Sequence, residues 1–227
     1  MDILQTSAFW LGLLKIVWIN IILSGDNAVV IALAARSLPP MQQRQAVLLG
    51  SGAAVVLRIA LTVVAVTLLA LPYLQIVGGA LLLSVGVKLL GEQDDGEGHD
   101  QHHGTLMAAV RTILVADVVM SLDNVIAVAA AAKGSMLLLG LGLAISIPMV
   151  IFGSTLMIRL MERVPAIVKL GAGLIGWVGG ETVASDPVFQ VLAQDLPWLH
   201  DATPVLGVAL VLGLGRWLQK SRHVAPS

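Results

Sequence analysis

No cysteine occurs in the 227 residues, so disulfides and thiolate metal sites are both excluded, and any metal would be held by oxygen or imidazole. Charge is scarce as well: Asp, Glu, Lys and Arg make up 12% of the chain and nearly cancel, to a net −1. So few charges cannot cover a solvated globular surface, and a balance so near zero designates no nucleic-acid partner. The short alternating strands that a closed β-barrel needs are missing. No nucleotide-binding motif is present, which removes ATP as an energy source. No small-residue cleavage site follows a short apolar core at the N-terminus, so the first apolar stretch is expected to be a retained helix rather than a signal peptide.

What fills the chain instead is apolar: 57% hydrophobic residues and a mean hydropathy of +0.92. Apolar runs fall at about 9–35, 46–71, 73–90, 107–132, 135–158, 166–184 and 203–219, divided by Pro39-Pro40, Pro72, the polar stretch 91–104, Gly134, Pro165 and the segment 185–202. At about 20 residues per span these predict seven transmembrane helices in an all-α bundle with the lipid bilayer as solvent. Arg36, Arg44, Arg159, Arg163, Lys169, Arg216, Lys220 and Arg222 fall in alternate connections and at the C-terminus, with Lys133 on the other side. The positive-inside rule then predicts an N-terminus outside and a cytoplasmic C-terminus.

The chain repeats itself. Ser24 to Ala35 and Ser121 to Ala132 are identical at six of twelve positions, Leu48-Leu49-Gly50-Ser51-Gly52 answers Leu138-Leu139-Gly140-Leu141-Gly142, and Gly78, Leu81, Val85 and Gly86 answer Gly171, Leu174, Val178 and Gly179. The expected organisation is a three-helix repeat (1–90), an acidic, His-rich cytoplasmic loop (91–104), a second repeat (105–184), and a loop with a seventh helix (185–227). Each repeat has an odd number of spans, so the second copy inserts inverted. Inverted repeats mark transporters whose site lies near the midplane between the copies. The seventh helix is read as a packing element or a homo-oligomer contact.

Within that symmetry the polar residues pair up: Asn20 opposite Asp117, Ser24 opposite Ser121, Asp26 opposite Asp123, Asn27 opposite Asn124. The first, second and fourth of each set lie at i, i+4 and i+7, one face of a helix. The aspartate at i+6 points away unless the helix is locally unwound, for which Gly25 gives licence in the first copy. An aspartate at the centre of a span costs roughly 2.5 to 3.5 kcal/mol on insertion scales, which asks for a compensating cation. Carboxylate, amide and hydroxyl oxygens without sulfur suit Mn²⁺, Mg²⁺ or Ca²⁺, with monovalent cations still open. Arg58, where the second copy has Pro148, is either an internal counter-ion or a side chain snorkelling to an interface. Three aspartates and one arginine leave a charge that a divalent ion or two protons would neutralise. Lys88 and Glu181 occupy equivalent positions with opposite sign, so they form a cross-repeat salt bridge or Lys88 is a cytoplasmic anchor. The loop Gly91 to Gly104, with three histidines and five acids, is a weak metal-collecting tract or a solvated linker.

The Ser-Gly-Asp-Asn and Ser-Leu-Asp-Asn helices, the Leu-Leu-Gly-x-Gly helices after them and the run Gly171 to Glu181 resemble the TerC family of integral membrane proteins, in its shorter bacterial form, over about residues 9 to 184. The resemblance implies a seven-helix transporter related to the lysine-exporter-like group, with manganese efflux as its activity. It also implies a metal site at Asp26, Asn27, Asp117, Asp123 and Asn124. The expectation is a secondary transporter exporting Mn²⁺ as substrate, with no resident cofactor, in exchange for protons by alternating access. Two rivals stand beside it: an exporter of a small amino-acid-like solute, and a non-transporting membrane factor for metal loading or protein assembly. An intramembrane hydrolase is disfavoured because no nucleophile pairs with a histidine.

Overall fold

Every element among the described residues of the computed structural model is an α-helix. The structure describes residues 7–22, 25–69, 71–91, 105–132, 136–193, 196 and 198–223. In order, the described residues form α1 (Ser7–Ile22), α2 (Gly25–Ala35), α3 (Pro40–Leu69), α4 (Leu74–Gly91), α5 (Leu106–Ala132), α6 (Met136–Arg163), α7 (Ala166–Ala184), α8 (Pro187–Ala193) and α9 (Trp198–His223). Pro40 and Pro187 each occupy a first helical position, where a missing N–H costs nothing. The Thr105 hydroxyl caps α5 by accepting the Ala108 N–H at 3.2 Å.

Against the expected seven spans, five helices among the described residues are long and apolar enough to cross a membrane: α3, α4, α6, α7 and α9. The first apolar run carries two shorter helices, α1 and α2, instead of one. The second begins at Gly25-Asp26, where the Asp26 carboxylate accepts the Asn27 N–H at 2.7 Å and so satisfies an amide of the opening turn. The fourth run is the 27-residue α5. The spacer expected over 185–202 contains the short helix α8. The acidic loop lies outside the described residues from residue 92 to 104. Trp10, Trp18, Phe152, Leu170 and Trp217 are all more than half exposed, an apolar exterior that lipid accepts and water does not.

Close contacts fix the helix directions. Gly142 lies against Ile16 and Gly153 against Ala28, so α6 runs parallel to α1 and α2. Gly50 lies against Ile113, and Arg58 reaches Ser121, so α3 runs parallel to α5. Gly79 meets Gly179 while Gly86 meets Ile175, so α4 and α7 are antiparallel. Gly176 meets Gly207 and Gly180 meets Thr203, so α7 and α9 are antiparallel too. At one face, Arg36 Nη2 donates to the Leu89 carbonyl at 3.1 Å and Gln219 Nε2 to the Leu90 carbonyl at 2.8 Å, which ties the ends of α2, α4 and α9 together.

Candidate functional site

The i, i+4 spacing on α5 brings Asp117 and Ser121 together: the Ser121 hydroxyl donates to Asp117 Oδ2 at 3.2 Å. From α3, Arg58 donates through Nη2 to Asp117 Oδ1 at 2.5 Å and through Nε to Ser121 Oγ at 2.9 Å. The three side chains close a ring of hydrogen bonds in which both carboxylate oxygens are engaged. All three are buried, and the ion pair leaves them neutral as a set. Losing one partner of such a pair leaves an uncompensated buried charge, which is why the arginine and the aspartate come together.

Asp117 and Arg58 share a cavity wall with Asn27 of α2, Ser51 of α3, and Ile147 and Val150 of α6. The cavity is about 10 Å³, roughly the space of one water or one bare ion. Asn27 and Ser51 are buried, and Ser51 Oγ has no hydrogen-bond partner among the described residues. Asp26, half-buried at the start of α2, lies within electrostatic reach of both Arg58 and Asp117. The set of oxygens facing one another is therefore carboxylate, amide and hydroxyl.

Of the residues expected here, the structure brings together Asn27, Asp117, Ser121 and Arg58, with Asp26 beside them. Ser24 and the side chains of Asn20, Asp123 and Asn124 lie outside the described residues. Among the described residues no three acids or histidines converge. Lys88 and Glu181 do not pair, and the packing explains why. Since Gly79 lies at Gly179 and Gly86 at Ile175 in antiparallel helices, residues 88 and 181 sit toward opposite ends of the α4–α7 contact.

Two residues escaped the sequence reading. Ser51 counted only as part of a repeat match, although it stands seven residues before Arg58, two turns along the same face of α3. Asp186 lay in the presumed spacer. It is fully buried and accepts N–H groups from Tyr73 (3.3 Å), Gln75 (3.2 Å), Ile76 (3.4 Å) and Val188 (2.9 Å), joining the N-termini of α4 and α8. Its signal was Asp186-Pro187, a capping residue before a first-turn proline.

A bundle helical throughout its described residues, with an apolar exterior, five helices long and apolar enough to cross a membrane and a hydrogen-bonded ion pair buried among them, defines an integral membrane protein of multi-pass type. The chain belongs to the TerC family of integral membrane proteins, whose family model matches residues 5–223. It is 44% identical over 204 residues to the membrane protein YjbE of Bacillus subtilis (strain 168), covering 90% of this chain and 93% of that one. It is 27% identical over 210 residues to the UPF0053 inner membrane protein YoaE of Escherichia coli (strain K12), covering 84% of this chain and 40% of that one. A UPF0053 protein of Buchnera aphidicola subsp. Schizaphis graminum is 30% identical over 145 residues, 56% of this chain and 28% of that one. This chain therefore spans less than half the length of the UPF0053 relatives. No solved structure matches.

Proposed function

We propose that this chain is a secondary transporter that exports divalent metal cations, Mn²⁺ first among them, in exchange for protons, by alternating access of two inverted three-helix repeats. The observation that carries the reading is the small buried cavity walled by Asn27, Ser51 and Asp117. Its donors are all oxygen, which favours hard and borderline ions over soft ones. A space of about 10 Å³ accepts a bare ion and not an amino-acid-sized solute, which favours the metal over the organic cargo. The walls come from α2 and α3 of the first repeat and α5 and α6 of the second, the position that inverted-repeat carriers give their substrate.

Asp26, Asn27, Ser51 and Asp117, together with Asp123 and Asn124 from the second motif, form the ion path in this reading. Carboxylates that must be deprotonated to hold a metal exchange it for protons when the site opens to the other side. The basic residues gathered where α2, α4, α6 and α9 end support a cytoplasmic assignment of that face, with the N-terminus outside, in the inner membrane.

The test is Mn²⁺ flux in proteoliposomes loaded with a pH-sensitive dye. Wild type is expected to move Mn²⁺ with opposing proton movement, and the Asp26→Asn, Asp123→Asn double variant to lose both while remaining folded. No flux from folded wild type would refute metal transport and leave the amino-acid-like solute exporter and the non-transporting membrane factor.

A further inference from the structure

Arg58 places a fixed positive charge in the wall of a cavity that, in the reading above, admits a cation. Its guanidinium already holds Asp117 Oδ1, and Ser121 holds Oδ2. A divalent ion taking either oxygen would meet that guanidinium at contact distance, with little water between them to screen the repulsion. The carboxylate has lone pairs for both, but each cation weakens the other's hold on it.

The pair falls where the sequence repeat is broken. Asp117 stands where the first copy has the neutral Asn20, and Arg58 stands where the second copy has the neutral Pro148. Each copy thus departs from the symmetry by one charge, of opposite sign, and the two departures meet in an ion pair in the folded chain. An extra carboxylate was matched by a built-in cation.

We propose that Arg58 is a tethered competitor for the transported cation: its guanidinium and the metal ion take turns on Asp117. The inference rests on reading the cavity as a cation path. When the ion enters, Asp117 passes from Arg58 to the metal. When the ion leaves, Arg58 returns to Asp117 while the exchanged protons neutralise the other carboxylates, and the metal-free carrier can reorient without exposing a bare Asp117 to the low-dielectric interior. The Ser121 hydroxyl suits this role because it accepts from Arg58 and donates to Asp117, so the resting set is neutral and hydrogen-bonded. Arginine suits it because a planar fork can span two acceptors, which a lysine ammonium cannot do in the same geometry.

Return of the empty carrier therefore needs Arg58, and exchange of one bound ion for another does not. The experiment compares net Mn²⁺ efflux into Mn²⁺-free buffer with Mn²⁺/Mn²⁺ exchange in proteoliposomes of the full chain. Arg58→Gln is expected to slow net efflux at least about tenfold while exchange stays within about threefold, and to bind Mn²⁺ more tightly, because the competing charge is gone. The double variant Arg58→Gln, Asp117→Asn removes both charges and should bring the ratio of net efflux to exchange back toward that of wild type. If the two rates fall together in Arg58→Gln, or neither changes, the tethered-competitor role is overturned. If Arg58→Gln does not fold, Mn²⁺ binding by Asp117→Asn is set against the double variant. The double variant should bind at least about tenfold tighter, since the lone guanidinium is gone, and equal binding overturns the proposal. Wild type that moves no Mn²⁺ in either mode refutes the transport reading itself, an outcome separate from an unchanged ratio in Arg58→Gln.

Discussion

Ser51 Oγ is buried without a hydrogen-bond partner among the described residues, and a hydroxyl so placed costs stability unless something binds it. Removing it separates packing from ligation. Ser51→Ala should leave the ion-free protein as stable as wild type or more so, by up to about 1 kcal/mol, because a desolvated group is lost and little volume changes. Its Mn²⁺ affinity should fall by roughly three- to tenfold, since one oxygen ligand to the ion is gone. Thermal unfolding in detergent reads both effects. At a Mn²⁺ concentration about 100 times the dissociation constant, wild type should gain about 2.7 kcal/mol, and the variant less at the same concentration. That gain should shrink as pH falls, because protons compete for the carboxylates that the metal requires deprotonated. A variant that loses stability without the ion and binds Mn²⁺ normally would make Ser51 a packing residue.

At the scale of helices, Asp186 does for two N-termini what a capping residue usually does for one. Four backbone N–H groups from α4, α8 and the turn at Tyr73 converge on a carboxylate with no exposed surface. Asp186→Ala strands those donors and should destabilise the protein by about 2 to 4 kcal/mol, with Asp186→Asn losing less because its carbonyl still accepts. Denaturant midpoints of the two variants check the order; equal losses would mean that charge, not acceptance, matters. The α7–α9 seam gives a second prediction. A methyl group at Gly176 would lie 2.7 Å from the Gly207 carbonyl oxygen, so Gly176→Ala must push two backbones apart and should cost about 1 to 3 kcal/mol by the same measurement. A neutral Gly176→Ala would mean that α9 can shift without loss. These elements also mark what the sequence could and could not disclose. Prolines at 39, 40, 72 and 165 bound the apolar runs, so most helix ends were legible, and so was the Asp117–Ser121 face, which follows from local periodicity alone. Asp186 bonds residues more than a hundred positions away, and the separation of Lys88 from Glu181 depends on α4 and α7 packing antiparallel. Neither long-range fact is written in a local pattern. The polar residue Ser51 was visible, but its burial was not.

Across the whole molecule, two groups of helices divide the work. α4, α7 and α9 lock through glycine-lined contacts in which backbone approaches backbone, whereas α2, α3, α5 and α6 supply the cavity walls among the described residues. Several of the described basic residues gather at one face of both groups: Arg36 follows α2 and Arg44 opens α3, Lys88 lies in the last turn of α4, Arg163 in the last turn of α6, and Arg216 near the end of α9. The opposite face carries the start of α4 and α8, joined by Asp186. Positive charge resists translocation, so the basic face should be cytoplasmic and α8 external. A chain without cysteine allows a direct check, because each introduced thiol is the single reactive one. Ser37 sits exposed in the turn between α2 and α3, and Gln190 is exposed on α8. A membrane-impermeant maleimide should label Gln190→Cys in intact cells and Ser37→Cys only after the membrane is opened. The reverse pattern would turn the bundle over. The basic face would then be external, yet an exchanger driven by the same proton gradient would still carry Mn²⁺ outward, because the gradient and the exchange coupling set the direction of flux and the orientation of the bundle does not.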